Sequence, residues 1–396
     1  MKKLIFTLLT VFSFLITDSN AQGCVAVKAM GGLSMCGENS YNLDAKTLQA
    51  GVNYRYFHSW RHYVGKEEQP QRQNTGGGIG PDGKDHGNAV NIYSHAVDLN
   101  FSYGLTSRIQ LNASIPYLNN ERSQVLRQTK PTIDTFRYSV YASGLGDVRL
   151  SANYWIFNPS TAHNGNIMVG LGIKLPTGKF NVTDDNVPQS DGTTLNDVLM
   201  DQAIQPGDGG TGFSVELQGF KNLYHNIYGF ANGYYLFNPR ESTNTAKSAP
   251  TVVKGTDGTV LGTLNGYNKY ACPDQFFARA GLMTSVLKSK NLNFSLAGRL
   301  EGIPAYDLIG GNEAYRRPGY VVSIEPGVSY RIGRSNFSLY IPKNVVRDRV
   351  QSSADIARQD LQNSVITDPA KLTHVQGDAA FADYSFSFSY SYRFGL

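Results

Sequence analysis

Along most of this chain, apolar and polar side chains alternate one for one. The C-terminal stretch shows it most plainly. Tyr384, Phe386, Phe388, Tyr390, Tyr392, Phe394 and Leu396 are interleaved with Ser385, Ser387, Ser389, Ser391, Arg393 and Gly395. A strand sends successive side chains to opposite faces, so this stretch has one aromatic face and one polar face. A helix would scatter both kinds around its circumference. Similar alternation recurs from residue 45 onward in about twelve segments, which predict strands. They are 47–58, 91–104, 107–118, 146–157, 166–176, 212–220, 226–237, 275–287, 291–303, 319–332, 335–342 and 383–394.

The connections between these segments are sorted by length. Those after even-numbered segments are short and contain Leu105-Thr106-Ser107, Asn158-Pro159-Ser160, Lys221-Asn222-Leu223, Lys288-Ser289-Lys290-Asn291 and Gly333-Arg334-Ser335-Asn336. Those after odd-numbered segments are mostly long and rich in Gly, Asp, Asn and Pro, as in 59–90, 177–211, 238–274 and 343–382. A soluble sandwich has no reason to sort its loops this way. An outer-membrane barrel does, with both termini on the short-turn, periplasmic side.

Charge follows the same division. The apolar register holds Ile109, Leu111, Ala113, Ile115 and Tyr117 in the third segment, and Val148, Leu150, Ala152, Tyr154 and Ile156 in the fourth. It continues as Ile167, Val169, Leu171, Ile173 and Leu175 in the fifth, and Tyr320, Val322, Ile324, Val328 and Tyr330 in the tenth. The opposite register carries Arg55, Asp98, Arg108, Asp147, Arg149, Lys174, Glu216, Arg279, Arg299, Glu301, Glu325, Arg331 and Arg393, the candidate lumen-facing residues. Lys or Arg on a lipid face at the midplane costs about 2–4 kcal/mol, which accounts for the segregation. The seventh segment carries Tyr on both registers, so its pattern does not assign its faces. The inward charges fit two readings: a salt-bridge network filling the interior, or a polar conduit that slightly favours anions.

Composition agrees with a β-rich membrane protein. The chain has 24 Tyr, 20 Phe and 41 Gly in 396 residues, and its mean hydropathy of -0.30 hides strands of which only alternate residues meet lipid. The net charge of +5 is mild and dispersed, which gives nucleic-acid binding no support. Lys2 and Lys3 precede an apolar run from Leu4 to Ile16, with small residues before a cleavage site after Ala21; residues 1–21 read as an export signal. Residues 22–44 are then either a periplasmic segment or a plug for the lumen, and residues 45–396 the barrel. Cys24 and Cys36 are a candidate disulfide in an oxidising compartment, while Cys272 lies far away in a loop.

Candidate chemistry is sparse. The 177–211 loop carries Asp184, Asp185, Asp191, Asp197, Asp201 and Asp208 without EF-hand spacing, so turn chemistry explains them better than calcium. His58, His62, His86 and His95 gather near the first long loop, where girdle and loop roles are expected rather than metal ligation. Residues Ser353 to Val365 predict a short helix with Ser353 as N-cap, a lid over the mouth or an ordered surface segment. No cofactor or metal site is expected.

The runs Gly144-Leu145-Gly146-Asp147 and Leu175-Pro176-Thr177-Gly178 bring in a resemblance. They resemble the outer-membrane transporter-like family named for the meta-pathway of phenol degradation, over residues 144–180. The resemblance implies uptake of small organic, often aromatic, compounds; the charged inner register of this chain departs from a greasy channel. In physical terms, Gly146-Asp147 starts a strand with Asp147 turned inward, and Pro176-Thr177-Gly178 stops the next strand at the outer rim.

The sequence therefore predicts an all-β, transmembrane, antiparallel up-and-down barrel of about twelve strands in the outer membrane. A non-enzymatic channel for small solutes is the expected function. A barrel hydrolase acting on lipid or peptide, and an adhesive barrel binding through its loops, are the competing classes. Lipid and the barrel-assembly machinery, the latter through the C-terminal strand, are the expected partners.

Overall fold

The computed structural model describes residues 43–74, 89–255, 257–286 and 291–395. The export signal, the 22–42 segment, the Cys24–Cys36 pair, His86 and Leu396 lie outside them.

Twelve antiparallel staves close into a barrel. They are β1 (Thr47–Val64), β2 (Asn91–Gly104), β3 (Ile109–Gln128), β4 (Asp134–Leu145 continued by Arg149–Trp155), β5 (Gly165–Lys174) and β6 (Gly212–Tyr224). The circuit goes on through β7 (Ile227–Phe237), β8 (Gln275–Ser285), β9 (Leu292–Ile303), β10 (Gly319–Ile332), β11 (Ser335–Tyr340 continued by Lys343–Asp348) and β12 (Ala379–Gly395). Each stave pairs with its neighbour in sequence. β1 and β12 then pair from Thr47 opposite Gly395 to Phe57 opposite Ser385, which removes both edges.

Two staves are interrupted for identifiable reasons. In β11 the break falls at Pro342, which has no N–H to give the ladder. In β4 the break falls at 146–148, where Gly146 donates to Pro116 O at 2.8 Å and Val148 to the Thr177 hydroxyl at 2.9 Å. The second break becomes the anchor of the candidate site.

Residues alternate across the wall as their polarity dictates. Val97, Leu99 and Phe101 of β2, Leu111 and Tyr117 of β3, Leu150 and Tyr154 of β4, and Ile167, Val169 and Leu171 of β5 are all exposed on the outside. Between them Asp98, Ser102, Asn112, Ser114, Asn153 and Asn166 are buried inside. An exposed apolar belt around a polar interior is stable only where the belt meets hydrocarbon. β7 resolves in the same way: Tyr228, Phe230, Asn232, Tyr234 and Leu236 are buried inward. Its alternate positions are Ile227, Gly229, Ala231, Gly233, Tyr235 and Phe237, so the middle of the outward face lacks the large apolar residues that mark a lipid register. That is why its sequence was ambiguous.

The middle of the first stave carries an outward aromatic cluster. His58 stacks on Tyr93 with 4.2 Å between ring centroids, and His95 shares a 2.7 Å hydrogen bond with the Tyr54 hydroxyl. Helix α1 (Ser353–Asn363) starts one residue earlier than its sequence indicated. Ser352, not Ser353, is the N-cap, because Asp355 completes a capping box with it: Asp355 N donates to Ser352 Oγ at 3.1 Å and Ser352 N to Asp355 Oδ2 at 2.9 Å. The helix lies beside the hairpin of Thr251–Lys254 and Val260–Leu264 at the long-loop end, with Leu361 against Gly262.

The outward belt makes a direct prediction. Leu217→Arg, on the exposed face of β6, should destabilise the folded barrel by about 2–4 kcal/mol if its side chain sits near the lipid midplane. Urea titration in lipid vesicles, read by heat-modifiable gel mobility, measures this. An unshifted midpoint would mean that the face does not meet hydrocarbon.

Candidate functional site

The connection between β5 and β6 does not stay outside the barrel. Its 199–208 stretch folds into the mouth, where Met200, Ile204 and Gln205 are fully buried. Ile204 packs among Val90, Ile92, Val140, Ala142 and Val187, and the Asn120 side chain donates to Ile204 O at 2.8 Å. Such burial of a loop is tolerable only if its backbone groups find partners. Gln205 supplies several, accepting from Val182 N at 2.9 Å and donating to Met200 O at 3.0 Å.

The two short motifs at 144–147 and 175–178 hold the base of this loop. Asp147 points inward from the break in β4, accepting from Gly178 N at 3.0 Å and Asp208 N at 3.1 Å. Thr177 Oγ1 donates to Gly146 O at 2.8 Å. Lys174 is 2 % exposed and bridges the Asp147 and Asp208 carboxylates, with 3.3 Å to Asp147. Asp208 also accepts from Gly210 N at 2.9 Å, and the Cys272 thiol donates to Asp208 O at 3.0 Å. The glycines are required by distance. A Cβ on Gly178 would sit 2.7 Å from Gly207 Cα, and one on Gly207 would sit 2.5 Å from Gly178 O. The motif is therefore a latch, and Pro206-Gly207-Asp208 is the part it grips.

A second tether crosses the mouth. Arg317 donates to both oxygens of Asp201 at 2.6 and 2.8 Å. Burial pushes the Asp201 carboxyl up, but the guanidinium beside it outweighs burial and holds it well below the usual carboxylate range. Its folded-state pKa is thus below its unfolded value near about 4. The tether's contribution is complete above that value and is lost as pH falls through the depressed pKa. Deeper in the same loop system, burial pushes the Cys272 thiol up to about 12, so it remains a protonated donor.

Below the loop, the inward charges meet one another. Arg55 binds Asp98 through two hydrogen bonds at 2.8 and 3.0 Å. Arg279 and Arg299 share Glu325 at 2.8 and 2.9 Å, and Arg299 also holds Glu301 at 2.8 Å. Glu216 accepts from Ser214 at 3.2 Å and Asn153 at 3.4 Å. Arg149 donates to Gln275 at 3.1 Å and lies 5.0 Å from the centre of the Tyr234 ring. At the short-turn end, Arg393 donates to Gln49 at 2.9 Å, and Arg331 continues the inward register of β10. Arg108 departs from the expectation: it lies in the turn before β3 and donates to Tyr154 Oη, on the outward register, at 3.2 Å. The turn lets its side chain leave the register that a strand residue must obey.

Two features are less legible in the pattern. One is a cavity of about 60 Å³ beneath the loop, bounded among others by Phe57, Leu118, Asn120, Ala203, Gln275 and Ile303. The other is an apolar cluster inside the barrel, made by Trp155, Met168, Tyr228, Phe230 and Met283. Opposite it, Gly51, Asn53, Ser387, Ser389 and Ser391 are half-buried small residues. The acidic residues of the 177–211 loop serve its own turns and tethers: Asp191 accepts from Thr193 N at 3.0 Å and Asp185 from Asp197 N at 2.9 Å.

No family model and no curated protein matches this chain, so the likeness of its Gly-rich motifs remains a resemblance. Solved structures similar to it include an outer membrane channel from Pseudomonas putida F1, at 10 % identity and TM-score 0.49, covering 91 % of this chain and 100 % of that one. The P. putida toluene transporter TodX is similar at 12 % identity and TM-score 0.41, over 96 % and 100 % of the two chains. A monoaromatic hydrocarbon channel, CymD, follows at 10 % identity and TM-score 0.40, over 94 % and 95 %.

The latch can be tested by protease digestion of the folded barrel. Lys174→Met leaves the Asp147 and Asp208 carboxylates without their shared cation, at a cost of about 3–5 kcal/mol. Cleavage between residues 183 and 205 should accelerate accordingly; an unchanged rate would show that the loop does not depend on the latch. The Asp201 tether predicts equal protease protection at pH 7.5 and 5.5, with protection reduced at both values in Asp201→Asn.

Proposed function

We propose that this chain is an outer-membrane channel through which small organic solutes move down their gradients. The observation that carries the reading is the cavity beneath the latched loop. It lies inside a closed barrel, and its wall combines apolar side chains such as Phe57, Leu118 and Ile303 with hydrogen-bonding ones such as Asn120 and Gln275 and with the ion-paired Arg55, Asp208, Arg316 and Arg317. Walls of that kind suit a molecule with an apolar body and a polar substituent. Beyond the cavity, the half-buried Ser387, Ser389 and Ser391 give a polar strip facing the apolar cluster around Trp155 and Phe230. A solute of mixed polarity finds partners along both walls.

In this reading the short turns and both termini are periplasmic, and the long loops face the exterior. The outward belt contacts lipid, and the final strand, with Phe394 in the lipid register beside Leu48, is the part that barrel-assembly machinery engages. Salt bridges and a packed loop fill much of the lumen, so passage requires side chains or the 199–208 loop to move. A hydrolase reading finds a foothold in the 2.7 Å contact between His62 and Asp378. Arg72 also approaches Asp378 at 3.6 Å, and the group ties the end of β1 to the segment before β12. That is an anchoring role, and it favours the channel.

Swelling of liposomes carrying the purified protein tests the proposal. Glycerol and arabinose should enter faster than into protein-free vesicles, with rates falling as solute size rises. Rates equal to those of protein-free vesicles for every solute would overturn it.

A further inference from the structure

The inward charges of the middle barrel do not balance locally. Arg55 has Asp98, and Arg279 and Arg299 have Glu325, with Glu301 completing the group. Arg149 stands apart. Among the described residues it forms no ion pair; its partners are the Gln275 amide oxygen at 3.1 Å and Tyr234. Its Nε is buried and has no acceptor. Glu216 on β6, another inward charge with neutral partners, is taken up by Ser214 and Asn153 rather than by Arg149.

A half-buried guanidinium whose Nε is buried without an acceptor, and whose other partners are neutral, is an incomplete site. A carboxylate completes it, because the planar fork of donors matches two oxygens. Gln275 links this group to the cavity: its amide accepts from Arg149 and also lines the space beneath the loop, so Arg149 stands one side chain behind the wall. Across that space stand Phe57, Leu118 and Ile303. Cation and apolar wall together describe an amphipathic anion.

We propose that Arg149, presented by Gln275 and Tyr234, binds the carboxylate of a small organic acid whose apolar body lies against Phe57, Leu118 and Ile303. The inference rests on the channel reading for its purpose, since it names the class of solute the barrel selects. It does not need flux to be observed, because binding is measured on the intact protein at rest.

The test is calorimetric titration of the full-length barrel in detergent, with benzoate as probe and benzyl alcohol as its neutral counterpart. Wild type should bind benzoate at least about tenfold more tightly than benzyl alcohol, as a charge-assisted contact requires. Arg149→Gln should lose that preference, and Arg149→Lys should keep part of it. Gln275→Glu supplies an internal carboxylate at the same place and should abolish the preference while leaving the fold intact. Heat-modifiable mobility reports folding, and Gln275→Glu decides the matter if Arg149→Gln does not fold. Equal binding of the two probes by wild type, or an undiminished preference in Gln275→Glu, would overturn the proposal. Selective benzoate binding without liposome flux would sink the channel and leave the site; flux without the preference would do the reverse.

Discussion

Everything in this molecule depends on the pairing of β1 with β12. In hydrocarbon an unpaired backbone N–H or C=O has no water to turn to, so a sheet can cross only if it has no edges. The ladder from Thr47–Gly395 to Phe57–Ser385 joins opposite ends of the chain and meets that requirement. Once the sheet is closed, the alternation of side chains decides the rest. One register must suit lipid, and the other must share a confined interior with eleven neighbouring staves.

Confinement explains why the interior charges are arranged as they are. Arg279, Arg299, Glu301 and Glu325 come from β8, β9 and β10, and each is buried almost completely. Any one of them without its partners would be an uncompensated charge in a poorly hydrated space. Of the two readings drawn from the charged register, these contacts realise the salt-bridge network that fills the interior. Ion pairs fill one side of the lumen, while the half-buried Ser387, Ser389 and Ser391 of β12 line another. The same reasoning makes Arg149 conspicuous, because its strand neighbours offer it amide and aromatic partners only.

The latch shows how a short motif acquires its meaning. Gly146, Asp147, Thr177 and Gly178 end or interrupt strands, and the hydrogen bonds freed by the interruptions are spent on the loop that enters the mouth. Gly207 must lie against Gly178 at a distance that admits no side chain. The gripping carboxylates then need Lys174 between them. These contacts connect the rim of the barrel to the contents of its mouth, where Gln202, Ala203 and Asp208 of the loop bound the cavity.

Strand number, closure and lipid-facing register were legible in the chain, because each follows from a period of two and from the cost of charge in hydrocarbon. The boundaries of β1, β3 and β4 were not: these staves run past the exposed apolar belt, and the Asp134–Leu145 part of β4 falls in what the pattern gave as a connection. The faces of β7 were illegible for a related reason: Gly229, Ala231 and Gly233 leave the middle of its outward face without the apolar signal. The inward turn of Asp147 could be read from the register. That it grips Asp208 could not, because 61 residues separate them and no local pattern encodes the return of the loop. Local periodicity determined which side of the wall each strand residue occupies. Only the closed tertiary structure decided which inward charges meet, which loop fills the mouth, and which arginine is left facing neutral partners, since each of these depends on contacts between segments remote in the chain.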